Sequence, residues 1–117
     1  MQYSIFENVC KQTGITLEKE IPVNDLIYEF SRKHKVDYVL SKNGKCAIIE
    51  IEGGTSTEGF WNDCLKYNTL STQYALFRFP AIMIKDTPIR VVEFINKFLT
   101  DTLTGDYLTK FYKENRK

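Results

Sequence analysis

The dipeptide Asn43-Gly44, set between the β-rich runs VDYVL and KCAIIEIE, constrains this chain more than any other feature. Asn-Gly suits a two-residue turn in which both residues take positive φ, the turn that matches the twist of paired strands. It predicts that Val36–Leu40 and Lys45–Glu52 pair antiparallel. Side chains alternate across a strand. Ala47, Ile49 and Ile51 then fall on one face, and Cys46, Ile48, Glu50 and Glu52 on the other. Both faces begin apolar, so the second strand reads as central and covered, with two carboxylates at the end of one face. Gly53-Gly54 stops it.

The flanking segments alternate between helix and strand patterns. Ile5, Phe6, Val9 and Cys10 recur at helical spacing within residues 2–13, and Gly14 suits the position past the helix end. LIYEF at 26–30 reads as a strand, followed by the polar basic stretch SRKHK. Residues 57–73 read as a helix, with Phe60, Trp61, Cys64, Leu65 and Tyr67 on an amphipathic stripe; its aromatics are expected in the core. ALFRF at 75–79 reads as a strand ended by Pro80. Thr87-Pro88 opens a helix running to about 103, since proline is favoured at the first helical position. Gly105 breaks it, and 106–117 reads as a short lysine-rich helix with a solvated cationic face. The order helix, three strands, helix, strand, helix predicts an α/β or α+β architecture with a small mixed sheet flanked by helices.

Size and composition narrow the function. The 117 residues suit one domain, 1–117, because domains of about 100–150 residues are commonest. A net charge of +1 creates no global attraction to nucleic acid or membrane, so polyanion binding must come from local segregation. No run of about 18 apolar residues suggests a membrane span. The first residues, MQYSIFENVCKQTG, carry polar and acidic groups where a signal peptide needs a cationic start and an apolar run. Three cysteines without a CxxC pair argue for a reducing, cytoplasmic setting and against a disulfide framework. The single histidine, His34, excludes a site built from several histidines; a surface phosphate contact, or no role, is expected of it.

Charge is segregated locally. Residues 31–45 carry Arg32, Lys33, Lys35, Lys42 and Lys45 against one acid, Asp37. Residues 46–65 carry Glu50, Glu52, Glu58 and Asp63 and no lysine or arginine. The hairpin sets Asp37 on one arm and Glu50 on the other. Charged groups rarely occupy a covered strand unless paired or bound to metal. Three carboxylates at close range raise one another's pKa unless a divalent cation holds them. Oxygen ligands without histidine favour magnesium or manganese over zinc. The competing expectation is a salt bridge from Glu50 or Glu52 to a lysine such as Lys66, or two acids at a solvated strand end.

Asp37, twelve residues, then Glu50-Ile51-Glu52 resembles the signature of the PD-(D/E)XK nuclease superfamily. The wider run YEFSRKHKVDYVL, CAIIEIEGG, GFWNDCLKYN and ALFRFP, roughly residues 27–84, resembles a group of small phage-type endonucleases and Holliday-junction-resolvase-like proteins. The very-short-patch-repair endonucleases have a similar layout. The resemblance implies a restriction-endonuclease-like core and a magnesium- or manganese-dependent endonuclease acting on DNA, with branched or repair intermediates among its substrates. It implies metal ligation by Asp37 and Glu50, with Glu52 or the carbonyl of Ile51. Glu52 stands where the superfamily's plainest form has lysine, so Lys66 becomes the candidate cation that orients water or stabilises charge developing on phosphate. Asp63 and Asn68 match the same helix motif. Arg32, Lys33, Lys35 and Arg78 are candidate DNA contacts, Arg78 alternatively a partner of Asp63. Glu7 is a candidate first-helix acid, with a solvated surface role expected instead. A homodimer suits so small a chain, because cutting two strands needs two sites. The alternatives are an inactive nucleic-acid-binding module with the same fold, and a structural or partner-binding phage protein whose acids form salt bridges.

Overall fold

The computed structural model describes residues 3–22, 35–53 and 57–116. The elements in chain order are α1 (Ser4–Gln12), β1 (Thr16–Pro22), β2 (Lys35–Lys42), β3 (Lys45–Glu52), α2 (Thr57–Leu70), β4 (Leu76–Pro80), α3 (Ala81–Asp86), α4 (Pro88–Leu99) and α5 (Gly105–Asn115). The four strands form one mixed sheet in the order β1-β2-β3-β4, so the chain is α+β as its sequence predicts. β1/β2 and β2/β3 are antiparallel, and β3/β4 is parallel. Parallel neighbours need a crossover, and α2 supplies it.

The hairpin forms as expected. Lys42 pairs with Lys45 across the turn, and Asn43 and Gly44 take φ of 55° and 75°. The turn needs both values positive, and these two residue types tolerate that best. β3 is covered on both faces. Ala47 and Ile49 pack with Phe6, Cys10, Leu40, Val91, Ile95 and Leu99 beneath α1 and α4. Ile48 packs with Val36 and Leu70 beneath α2. α4 earns its position through Val91, Val92, Ile95 and Leu99, buried at helical spacing. α5 buries no residue completely and leans on α4 through Phe111 and Phe94, whose rings lie 4.9 Å apart. Ile49 is fully buried at the sheet centre. Ile49→Ala is expected to cost about 2–5 kcal/mol in urea unfolding, because lost burial and a residual cavity add.

The structure differs from the sequence expectation in three respects. Thr16–Pro22 is a strand despite reading TLEKEIP: its pairing with β2 and its edge position override its charge. Ala81–Asp86 is a further helical turn directly after Pro80. α2 stops at Leu70 and α4 at Leu99, short of the expected ends at 73 and about 103. The strand expected at 26–30 lies outside the described residues, as do Arg32, Lys33 and His34.

One irregularity positions the candidate site. Leu17 and Tyr38 join the cluster beneath α1, whereas Ile21 and Val36 join the cluster beneath α2. Strict alternation would put Leu17 and Ile21 on one face of β1, and Val36 and Tyr38 on one face of β2. The register skips Glu20 and Asp37, and Glu20 has a φ of 52°. Both strands therefore kink at this point, as at a bulge, and Asp37 sits at the kink.

Candidate functional site

The acids gather at the end of the sheet opposite the Asn43-Gly44 turn. Glu50 and Glu52 follow Ile48 on the α2 face, as alternation predicts. With Asp63, Lys66, Tyr67 and Arg78 they line a crevice of about 10 Å³, room for one water-sized sphere. α2 delivers Asp63, Lys66 and Tyr67 because these positions share its inward side with Leu70.

Lys66 is buried. Its Nζ lies 3.3 Å from Glu50 Oε1 and donates a hydrogen bond to the carbonyl of Lys35 at 3.1 Å. Lys66 and Glu50 form an ion pair, and Glu50 Oε1 is buried with no hydrogen-bond partner among the described residues. Burial pushes the Glu50 carboxyl up to about 7; Lys66 draws it down, and the charges of Asp37 and Asp63 push it further up. Glu52 is tied to Arg78, whose Nε donates to its Oε1 at 2.7 Å. The Arg78 guanidinium also lies over the Tyr67 ring, 5.6 Å from its centre.

Asp37 departs from the expected arrangement. Its Oδ2 accepts the Ile51 N–H at 2.7 Å, and its carboxylate borders a second crevice, of about 220 Å³, on the α1 side. The kink is the cause, since it turns Asp37 away from the face that carries Glu50 and Glu52. Its charge still acts on Glu50. The expected nest of three converging carboxylates is therefore corrected. Among the described residues, no three carboxylate, histidine or cysteine groups stand close enough together to hold a metal ion.

The basic rim is likewise thinner than its sequence. Lys42 Nζ donates to the Thr13 carbonyl at 2.7 Å and to Asn96 Oδ1 at 2.8 Å, pinning α1 and α4 to the hairpin. Lys45 pairs with Asp101 at 2.5 Å and lies over Phe98. Both stand at the turn end, away from the acids. Lys35 is exposed near Lys66. Arg78 is a partner of Glu52 rather than of Asp63.

Glu7 corrects the expectation of a solvated role. It is buried on α1, accepts the Tyr38 hydroxyl at 2.7 Å through Oε2, and pairs with Lys19 at 3.4 Å. The signal was available in the spacing: position 7 falls three before Cys10 and next to Phe6, on the buried side of α1. The Tyr38 hydroxyl is pushed above its ordinary pKa, first by burial and then by its bond to Glu7. Tyr38→Phe removes a hydrogen bond to a buried carboxylate and is expected to lower unfolding stability by about 1.5–3 kcal/mol. Equal denaturant midpoints for variant and parent would contradict that role. Phe60 and Trp61, expected in the core, are exposed.

Set against family models, curated proteins and solved structures, the chain matches none of them.

Proposed function

We propose that the crevice at the end of β3 is the site of a divalent-cation-dependent endonuclease of the PD-(D/E)XK type, acting on DNA. The observation that carries this reading is Glu50: a half-buried carboxylate whose buried Oε1 meets the ammonium of a buried lysine at 3.3 Å but receives no hydrogen bond among the described residues, at the end of a covered strand. Proteins rarely leave a buried carboxylate oxygen without a hydrogen bond, because desolvation is costly. The donor set fits a hard cation, since it offers carboxylate and carbonyl oxygens and no histidine.

Glu50, with the carbonyl of Ile51, would anchor the cation, and Asp37, which here accepts the Ile51 N–H, would have to turn toward Glu50 to complete the site. Bound magnesium or manganese supplies charge neutralisation for phosphate and lowers the pKa of water. The chain's own residues do the rest. Lys66, anchored on the Lys35 carbonyl, holds a fixed positive charge beside the scissile phosphate, where developing charge needs it. Arg78 keeps Glu52 drawn toward β4, so Glu52 shapes the crevice from its rim.

A second reading is favoured by the pairing itself. Glu50–Lys66 and Glu52–Arg78 are ion pairs, and such pairs are what an inactive module of the same fold would keep. Cleavage assays on linear and branched DNA with magnesium or manganese, run beside calorimetric titration with manganese, separate the two. Metal binding and cleavage that both disappear in Glu50→Ala support the nuclease. DNA binding without metal binding or cleavage supports the module.

A further inference from the structure

The two edges of the sheet are finished differently. β1, at one edge, reads TLEKEIP, and its charges, its proline and the kink at Glu20 discourage another strand from pairing there. β4, at the other edge, reads LFRFP and is blunted only by Pro80 at its end. Across the parallel ladder Ile48 is opposite Leu76 and Glu50 opposite Arg78, and the Ile48 N–H donates to the Ala75 carbonyl at 2.9 Å. A residue in such a ladder bonds the two neighbours of its partner, so Phe77 and Phe79 turn their main chain to β3. Leu76 and Arg78 turn theirs outward, where no main-chain group among the described residues meets them. This open edge borders a groove of about 420 Å³ on the α4 side of β4, within the size range of about 300–1,000 Å³ usual for ligand sites. The floor is aromatic: the Phe94 ring centre lies 5.3 Å from that of Phe77, 5.6 Å from Phe79 and 4.9 Å from Phe111. Leu108 and Tyr112, one turn apart on α5 and 41% and 65% exposed, form the facing wall. Arg78 and Arg116 are the only charged residues among the described ones lining the groove. The Arg78 side chain is committed to Glu52 and Tyr67 on the α2 face, so Arg78 offers the groove its main chain, and the free charge is that of Arg116 at the end of α5.

We propose that this groove takes an extended peptide of a partner protein, which adds a strand to the sheet along β4, with apolar residues at alternate positions and an acidic residue beside Arg116. Three features select this occupant. The outward N–H and C=O groups of Leu76 and Arg78 match the main chain of a strand, whereas a helix or a nucleic acid backbone offers no such ladder. Side chains of an added strand point alternately to the two faces of the sheet, so every second one drops toward Phe79 and Phe94, where an apolar group fits. The lining carries positive charge and no acid, which favours a negative residue and repels a positive one. β4 is five residues long, so the added ladder is short and binding is weak. The inference does not rest on the nuclease reading. The groove lies on the α4 side of β4 and the crevice on its α2 side, so either reading can fail alone.

Nuclear magnetic resonance on the isotope-labelled chain tests it, with a short peptide that alternates valine and threonine and carries glutamate at both ends. The Leu76 and Arg78 amide signals are expected to shift, and hydrogen exchange at the Arg78 amide to slow at least tenfold at saturation. The same peptide with lysine ends is expected to bind at least tenfold more weakly, and Arg116→Glu to invert that order. Arg116 is exposed, so the variant is expected to keep the parent's circular dichroism spectrum. Methylating alternate backbone nitrogens of the peptide should abolish binding in one phase and spare it in the other, because only one set faces β4. Signals unmoved by millimolar peptide would overturn the proposal. So would shifts confined to α5 with Arg78 exchange unchanged, equal binding of the two peptides, or tolerance of both methylation phases. Dodecanoate filling the groove where neither peptide binds would overturn it too, and assign the groove to a lipid.

Discussion

Replacing Glu50 by alanine is expected to abolish magnesium- or manganese-dependent DNA cleavage, a loss on the order of 10³-fold or more. Asp37→Ala is expected to do the same if Asp37 turns from the Ile51 N–H to join Glu50 on the cation, as the proposed site requires. Lys66→Ala is expected to reduce cleavage by about 10²–10³-fold, the usual cost of removing one preorganised charge from a transition state. Glu52→Ala is expected to cost less, about 10–100-fold, because Arg78 already engages Glu52 and its influence is indirect. The order of these losses carries the information. If Glu52→Ala were as damaging as Glu50→Ala, the ion pair with Arg78 would have to open in the working enzyme. Cleavage unchanged by Asp37→Ala would detach the kink residue from the chemistry.

The second large effect is on stability, and it depends on pH. Lys66→Met removes the cation beside a buried carboxylate. Breaking a buried pair from one side costs about 3–5 kcal/mol, because the remaining charge is left uncompensated. That cost is expected to grow with pH and to be reached in full only at alkaline pH, because losing Lys66, which draws the Glu50 carboxyl down, pushes that carboxyl further up. It should shrink toward pH 5, where Glu50 takes up a proton. The double variant Glu50→Gln/Lys66→Met removes both charges and should recover most of the loss. The parent protein follows the same logic. The folded Glu50 carboxyl titrates at about 7, above its ordinary value of 4.5. A raised carboxyl pKa means that the folded state binds the proton more tightly. The associated stability is present in full below pH 4.5 and is lost as pH rises through 7, by about 3 kcal/mol. Glu50→Gln does not titrate, so its unfolding free energy should lack this slope. Manganese should reduce the slope in the parent at neutral pH, since a ligand that binds only the folded state stabilises it. Matching pH profiles for the parent and Glu50→Gln would contradict the burial argument.

How much of this was legible in the sequence follows from which interactions are local. The hairpin was readable because its turn chemistry sits in two adjacent residues and its strands alternate on either side. The helical stripe of α4 was readable in part: the apolar spacing of Ile89, Val92, Phe94, Ile95, Phe98 and Leu99 picks out the buried Val92, Ile95 and Leu99, but it misses the buried Val91 and includes Ile89, which is exposed. The projection of Glu50 and Glu52 to one face followed from alternation alone. β1 was not readable: its charged sequence becomes a strand only through partners in β2, more than a dozen residues away. The turn of Asp37 was hidden too, since it depends on a kink shared with Glu20 across that pairing. Residue types placed Phe60 and Trp61 in the core, yet the inward side of α2 is set by Lys66 and Leu70. Lys66 is held inward by polar contacts to Lys35 and Glu50, which an apolar pattern does not register.

A crystal structure of the protein grown with manganese, with anomalous scattering recorded for the metal, tests the central claim most directly. The account predicts one strong anomalous peak within coordination distance of Glu50 Oε1 and the Asp37 carboxylate, with the Lys66 ammonium displaced from Glu50 but still beside the crevice. Density without a peak, with Lys66 still seated on Glu50 and Arg78 on Glu52, would contradict it and leave two structural ion pairs in its place.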